Sequence, residues 1–277
     1  MAGRRGARVE DAGRWVFNRL AAAYQSRPGY PEALVERLSG LAAPGRRAVD
    51  LGAGTGDLAL PLAVRGIRVA AVEPARMMLD VLEHRAKEQG IALREAERDA
   101  PRAAETGTPS ERLIPVHAAA EATGLPAASF DLSLVADALH WLDPELAGAE
   151  IARLLAPGGA LAVVEVELLP SPFLDALWPQ LQASNPKSRP RALDLAGPRA
   201  QLLSLAAPGA AATDETFDCE DALSPEAAAA VVASLSFVGP ALSPLAVDAL
   251  TTWARDHARA RGATWRRRLH IHWARRK

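Results

Sequence analysis

The chain has 277 residues, 49% of them apolar and 23% charged, with a formal net charge of −1. That length and apolar fraction predict a globular protein with a well-buried core, and the near-neutral charge gives no electrostatic reason to expect nucleic acid or an acidic membrane as the main partner. The one cysteine, Cys219, excludes an internal disulfide and fits a reducing, cytoplasmic setting.

Residues 1–10 should be loose, and the basic N-terminus lacks the apolar run of a signal peptide. Residues 12–25 predict a helix with Val16, Leu20, Ala23 and Tyr24 on one face. "SRPGYP" breaks it, because Pro28 and Pro31 bias the residues before them away from helix. A second helix follows over 31–41. Strand and helix then alternate. "AVDLG" is a strand, 57–65 a helix with Pro61 tolerated near its first turn, and "RVAAVEP" a strand over 68–73. The helix 75–89 sets Met78, Val81, Leu82 and Ala86 on one face and stops at Gly90. Residues 95–112 are polar with Pro and Gly and read as a loop or insertion. "LIPVHA" and "FDLSLVAD" are the third and fourth strands. Asp143 reads as an N-cap with Pro144 at the first helical position. Its helix runs to 156, burying Ala147, Ile151, Leu154 and Leu155; "APGG" ends it and "ALAVVEVEL" is the fifth strand.

This alternation predicts a parallel sheet with helices on both faces. Beyond it, the proline-rich stretch 170–200 reads as an irregular segment over the sheet edge. "DETFDCED" reads as a strand, and "SPEAAAAVVASL" and "SPLAVDALTTWARDHARA" as helices opened by Ser caps. In "TWRRRLHIHWARR", Trp265, Arg267, Leu269, Ile271 and Trp273 share one face, and Arg266, Arg268, His270 and His272 the other. No stretch of about 18 uncharged apolar residues offers a membrane span.

The chemistry concentrates at 49–63, "VDLGAGTGDLALPLA". The dinucleotide fingerprint needs G-x-G-x-x-G. Here Gly52, Gly54 and Gly56 make G-x-G-x-G, and Asp57 stands where the third dinucleotide glycine would be. A carboxylate beside a helix N-terminus also opposes a pyrophosphate there, and the lack of G-K-[ST] excludes a P-loop. S-Adenosylmethionine fits better, since it has no phosphates and carries a sulfonium and an ammonium. Asp50 can receive the ammonium, the glycines let the backbone approach the methionine portion, and Glu73 can accept the two ribose hydroxyls. A featureless glycine turn explains the glycines but not an acidic residue at the tip of each of the first two strands.

With these residues in place the chain resembles the class I S-adenosylmethionine-dependent methyltransferases of the type 11 group. "VDLGAGTG" is similar to that family's first motif and "VAAVEP" to its second; "AAAEATGLPAASFD" resembles its AE-x-LP…SFD segment, with Ala119 where an acid or Thr often stands. "ADALHWLDP" resembles a subgroup's HW stretch, as "YQSRPGYP" at 24–31 resembles its opening, and "LLAPGGALAVVE" the last motif. The resemblance implies a Rossmann-like α/β fold: a seven-stranded, mostly parallel sheet with helices on both faces, a final antiparallel pairing and an N-terminal lid helix. It divides a single domain into lid helices over 12–43, a cofactor-binding core over 45–168, an acceptor-side segment over 169–212, and C-terminal strands and helices over 213–277. It implies that Gly52, Ala53, Gly54 and Gly56 line the cofactor, that Glu73 and Pro74 meet the ribose, that Met77 or Met78 lies against adenine, and that Ala120, Glu121 and Ala136 border the same site.

Other residues are weighed against plainer roles. Tyr24 and Arg27 belong to a lid reaching the methionine end, or to a helix packed on the sheet with a surface Arg. His140 is a general base or positioning group, or a histidine packed against the methionine portion. Asp137 holds a polar acceptor, or caps a helix. Tyr30, Trp141 and Trp178 wall the acceptor pocket, with Trp178 alternatively a core residue of a short amphipathic helix. His270 and His272 have no carboxylate or Cys neighbour at ligand spacing, so no metal is expected. The expected function is methyl transfer from S-adenosylmethionine to a small organic molecule such as a specialised metabolite, by a cytoplasmic monomer or homodimer. The alternatives are a non-methylating S-adenosylmethionine-binding protein and, ranked lower, a nucleic-acid methyltransferase.

Overall fold

The computed structural model describes residues 17–18, 20–43, 45–94, 112–185, 194–235, 238–239 and 241–277. The readings for residues 1–10, for the start of the 12–25 helix and for 95–111 lie outside them. Seven strands form one sheet: β1 (Arg47–Leu51), β2 (Arg68–Val72), β3 (Leu113–Val116), β4 (Phe130–Ala136), β5 (Leu155–Leu168), β6 (Thr213–Ala222) and β7 (Thr264–Arg275), in the order β3-β2-β1-β4-β5-β7-β6. The first five pair in parallel. β1 and β2 bury every residue after their first, as strands covered on both faces must. β7 runs antiparallel to β5: the N–H of Arg276 donates to the Gly159 carbonyl at 2.8 Å and that of Leu169 to the Arg266 carbonyl at 2.9 Å. The α/β architecture with a final antiparallel pairing is therefore the observed one.

The helices bounded within the described residues are α1 (Glu32–Leu41), α2 (Ala59–Val64), α3 (Arg76–Glu88), α4 (Pro144–Leu154), α5 (Pro172–Ser184), α6 (Ala196–Ala206), α7 (Pro225–Ser234) and α8 (Pro244–Arg261), and residues 20–24 are helical as well. α2 starts two residues later than expected, because Gly54 and Gly56, at φ +55° and +89°, keep residues 54–58 in turns. α4 gives way to β5 at Leu155, which is buried in a strand rather than in the helix. The larger correction concerns 170–200, expected to be irregular: its described parts carry all of α5 and the start of α6. Pro172 and Pro198 sit in the first turns of α5 and α6, where a proline removes no intrahelical hydrogen bond; only Pro179 is interior.

The chain divides into two compact units. The larger draws on Tyr30–Glu165, Leu193–Phe217 and His270–Lys277, and the smaller on Met1–Gly29, Val166–Ala192 and Asp218–Leu269; both cut across the four consecutive segments read from the sequence. The larger unit's core gathers Val49, Leu51, Val72, Val135, Ile151, Leu161 and Leu202 around β1, β2, β4 and β5. The smaller unit's core gathers Phe173, Leu177, Val231, Leu250, Ala254 and Trp265 from α5, α7, α8 and β7. Along β7 the expected alternation holds from Trp265 to Ile271. It then slips, so that Ala274 is buried and half-covered Trp273 donates Nε1–H to Glu215 at 2.9 Å. Arg267 sits on the buried face with its two terminal nitrogens paired: they donate to the carbonyls of Pro28 (3.0 Å) and Gly29 (2.8 Å) and to Asp221 (2.8 Å), while the buried Nε has no hydrogen-bond partner.

Ser171 caps α5 by accepting the Leu174 N–H at 3.2 Å, and its hydroxyl also donates to the Thr264 carbonyl at 2.8 Å. Ser224 and Ser243 cap α7 and α8 from exposed positions. Ser171→Ala should therefore lower stability by about 1–2 kcal/mol, and Ser224→Ala or Ser243→Ala by only about 0.5–1 kcal/mol. Urea unfolding of the three variants checks the order.

Candidate active site

The site is built at the carboxyl ends of β1, β2 and β4, all in the larger unit. As β1 ends, the N–H groups of Gly52 and Ala53 both donate to the Val72 carbonyl, at 2.9 and 3.0 Å, which turns the chain across the tip of β2. Gly52 has φ +78°, and a Cβ there would lie 2.8 Å from the Ala138 side chain. Gly54 differs: φ is +55°, and no atom lies within 4 Å of where its Cβ would be. Its N–H instead donates to Glu73 Oε2 at 3.0 Å, while Glu73 Oε1 accepts the Ala75 N–H at 2.9 Å. A carboxylate has about four lone-pair sites, so both Glu73 oxygens keep acceptor capacity beyond these bonds.

Asp50 and Glu73 are 2% and 6% exposed. Burial, then the Glu73 and Asp57 charges, push the Asp50 carboxyl from 3.8 up to about 7, against the Ala59 N–H that it accepts. Burial raises Glu73 as well, opposed by the N–H groups of Ala75 and Gly54. Asp57 is not a bare charge at the start of α2: Arg85 of α3 meets its Oδ1 at 2.6 Å. That pairing offsets the repulsion expected toward a pyrophosphate, so the exclusion of a dinucleotide rests on the glycine spacing. Arg85 is a residue that sequence reasoning missed; it lies 28 positions from Asp57, and only the packing of α3 beside the turn joins them.

The remaining candidates fall as follows. The Pro74 carbonyl accepts from His117 Nε2 at 3.0 Å. Met78 is 1% exposed and Met77 49% exposed, so Met77 rather than Met78 turns a face outward. Met78 shares the inward face of α3 with Leu79, Leu82 and Ala86. Ala120 is packed into the core, and Glu121 accepts the N–H of Asp143, whose own side chain caps α4. Ala136 ends β4 half-buried. Asp137, just past it, is exposed with φ +49°, a conformation side chains other than glycine's adopt sparingly, and its N–H donates to the Val164 carbonyl at 2.8 Å. The next turn brings His140 to Trp141, ring centroids 4.9 Å apart. Burial lowers the His140 pKa, with the Asp137 charge pulling the other way, and Trp141 is 48% exposed. Tyr30 is half-buried in this unit.

Tyr24, Arg27 and Trp178 belong to the smaller unit. There the Arg27 guanidinium stands 4.1 Å over the Tyr24 ring and donates to the hydroxyl and carbonyl of Ser234, each at 2.8 Å. Trp178 packs against the core of that unit. His272 Nδ1 lies 2.6 Å from Asp214, and no cluster of His, Cys, Asp or Glu fit to hold a metal occurs among the described residues. No helix among them is long and apolar enough to cross a membrane.

Residues 49–163 match the family model described as a methyltransferase domain. A methyltransferase of Mycobacterium tuberculosis, named as uncharacterized, is 42% identical over 149 residues, 53% of this chain and 51% of that protein. An S-adenosyl-L-methionine-dependent Diels-Alderase of Talaromyces variabilis is 33% identical over 150 residues, 53% of this chain and 46% of its own. The chain thus spans about half the length of the curated relatives it matches. Among solved structures, a candidate type II methyltransferase of Anaeromyxobacter dehalogenans superposes with a TM-score of 0.55 at 24% identity, covering 91% of this chain and 97% of that one. The YcgJ protein of Bacillus subtilis gives 0.54 at 18% identity, covering 89% and 99%. The fold is the seven-stranded, Rossmann-like α/β fold of these solved structures. Within it, residues 49–163 are similar to that methyltransferase domain, which points to S-adenosylmethionine as the cofactor.

The site fits that cofactor. The open step at Gly54 lies beside two buried carboxylates, whose charge a sulfonium and an ammonium compensate. The raised Asp50 pKa has a consequence for the ligand-free protein. A carboxyl whose folded pKa exceeds its unfolded one favours folding below the unfolded value and loses that contribution as pH rises through the folded value. For Asp50 that window runs from 3.8 to about 7. Asp50→Asn should stabilise the ligand-free protein at about pH 8 by on the order of 2–4 kcal/mol, less at about pH 5, while weakening cofactor binding. Denaturant unfolding at the two pH values, with calorimetric titration of S-adenosylmethionine, reads both effects.

Proposed function

We propose that this protein transfers the methyl group of S-adenosylmethionine to a small organic acceptor bound beyond the carboxyl end of β4. The observation that carries the reading is the pair of buried carboxylates, Asp50 and Glu73, flanking the open Gly54 step. When bound, the cofactor supplies an electrophilic methyl on a cationic sulfur. Asp50 holds the ammonium, the Gly52–Gly56 backbone lies along the methionine portion, and Glu73 accepts the ribose hydroxyls with its remaining lone pairs. Met77 offers the exposed methionine face for adenine. His140 and Asp137 border the acceptor, and the exposed ring of Trp141 gives it an apolar wall. Because burial keeps the His140 imidazole neutral near pH 7, it is in the form that accepts a proton. Holding the acceptor in line with the methyl supplies much of the remaining rate. Specialised metabolites are the acceptor class we favour. The near-neutral net charge supports a small molecule over nucleic acid, and the single cysteine supports a reducing, cytoplasmic setting, in which we expect a monomer or homodimer.

A second reading, binding of S-adenosylmethionine without methyl transfer, is favoured by one observation: a relative 33% identical over 150 residues is an S-adenosyl-L-methionine-dependent Diels-Alderase. Formation of S-adenosylhomocysteine with candidate acceptors separates the two readings.

The protein should bind S-adenosylmethionine and not NAD in calorimetric titration; the reverse result defeats the proposal. With an acceptor in hand, His140→Asn should lower turnover at neutral pH by roughly a hundredfold and leave cofactor affinity nearly intact, with partial recovery at high pH where the acceptor ionises unaided. A small, pH-independent loss assigns His140 to positioning alone.

A further inference from the structure

We propose that Arg85 is a positioning residue of the cofactor site, which holds the glycine-rich turn in place and, by pairing with Asp57, keeps Asp50 able to ionise when a cationic ligand arrives. The inference rests on the reading of this site as one for S-adenosylmethionine.

Arg85 reaches from α3 to the turn through one nitrogen. Its Nη1 donates to the Thr55 carbonyl at 2.7 Å and to Asp57 Oδ1 at 2.6 Å, with the Thr55 hydroxyl at 3.2 Å. Thr55 is 2% exposed and lies between two glycines at positive φ. Its carbonyl is therefore a buried acceptor in an unusual stretch of backbone, and Arg85 satisfies it. The ion pair is largely covered, with side-chain exposures of 24% for Arg85 and 22% for Asp57, so salt and water screen it less than a surface pair.

The groups facing Asp50 are the charges of Glu73 and Asp57 and the N–H of Ala59. Glu73 has backbone donors, and Asp57 has Arg85. Elsewhere on α3, Arg76 pairs with Asp80 and Glu83, and His84 with Glu88. Removing the Arg85 guanidinium leaves Asp57 as an uncompensated negative charge beside Asp50, which then holds its proton more tightly. A cation must displace that proton. Loss of Arg85 is therefore felt as a shift in the pH dependence of binding, which a merely structural role would not produce.

The test is calorimetric titration of S-adenosylmethionine, without acceptor, into the wild type, Arg85→Met, Arg85→Lys, Asp57→Asn and the double variant Arg85→Met/Asp57→Asn, from about pH 6 to about pH 9. Wild-type affinity should rise with pH until the ligand's own ammonium begins to titrate at about pH 8, so each variant is read against wild type at the same pH. Arg85→Met should bind about tenfold more weakly near pH 7, with its midpoint displaced upward by on the order of one unit and the deficit closing toward pH 9. Arg85→Lys should stay within about threefold of wild type, and the double variant should regain the wild-type midpoint. A loss equal at every pH and not relieved by Asp57→Asn, or no loss at all, overturns the role given to Arg85. If Arg85→Met does not fold, Asp57→Asn alone decides: its midpoint must move down, and an unmoved midpoint overturns the coupling. A wild type that binds no S-adenosylmethionine at any pH overturns instead the reading of the site on which this inference stands.

Discussion

The rest of the site depends on the burial of a carboxyl group at the tip of β1. Asp50 lies in a strand among the apolar, covered residues Ala48, Val49 and Leu51, and at 2% exposure its charge is expensive to keep. The neighbourhood moderates that cost without removing it. The Ala59 N–H points at Asp50, Glu73 is tied by the N–H groups of Gly54 and Ala75, and Asp57 is paired with Arg85. What is left is an excess of negative charge with one donor bond on Asp50. A protein optimised only for stability would replace Asp50 with an amide or an apolar residue. Its presence is understandable if a cation completes the site, so the electrostatics of the loop point to a cationic ligand while its glycine spacing excludes a dinucleotide.

The parallel strands make that arrangement possible. β1 pairs in parallel with both β2 and β4, so three carboxyl ends open on one edge, and turns leaving them converge as they do in open α/β sheets. Charge is handled differently at the other edge of the sheet. β6 is mostly exposed and carries Asp214, Glu215, Asp218, Glu220 and Asp221. Arg268 meets Asp218 in a two-pronged pair at 2.7 and 2.9 Å, and Arg37 meets Glu215 in another at 2.6 to 3.0 Å. Charges on both faces of an edge strand keep it from pairing with other chains, so the cationic face of "TWRRRLHIHWARR" needs no nucleic-acid partner to account for it.

Much of this was legible in the sequence, because it rests on local rules. The apolar runs "RAVDL" and "RVAAV" announced buried parallel strands, and Asp143, Ser224 and Ser243 announced their helices through cap chemistry. Glycine spacing placed the turn. What escaped depended on contacts between distant positions or on prolines whose location mattered more than their number. α5 is read only as the alternative placing of Trp178 in a short amphipathic helix, because proline density argues against helix, although Pro172 occupies a first turn and Ser171 caps it. Periodicity sets Met78 on the apolar face of α3, yet the family resemblance leaves Met77 and Met78 both open for adenine until Met78 is seen to be buried. Arg85 gave no sign, since nothing within four residues of it marks the turn it serves. Arg267 was read onto the apolar face of β7 correctly, but its partners Pro28 and Gly29 are more than two hundred positions away.

The tip of β4 shows the same logic beside the glycine-rich loop. Asp137 adopts φ +49° while its N–H stays bonded to Val164 in β5, so the strand pairing continues as the side chain is re-aimed. Residues hold such conformations at some cost, and they persist where the surrounding structure imposes them. The imposed turn leaves Ala138 and Leu139 buried, His140 half-covered and Trp141 open. A straight continuation of β4 would have alternated these side chains between faces. The strained residue instead sets an ionisable imidazole against an exposed indole within a single turn, a polar group and an apolar wall presented together. The buried Ala138 side chain in turn requires a glycine at position 52, so the geometry of the β4 tip and that of the glycine-rich loop are fixed by one shared contact.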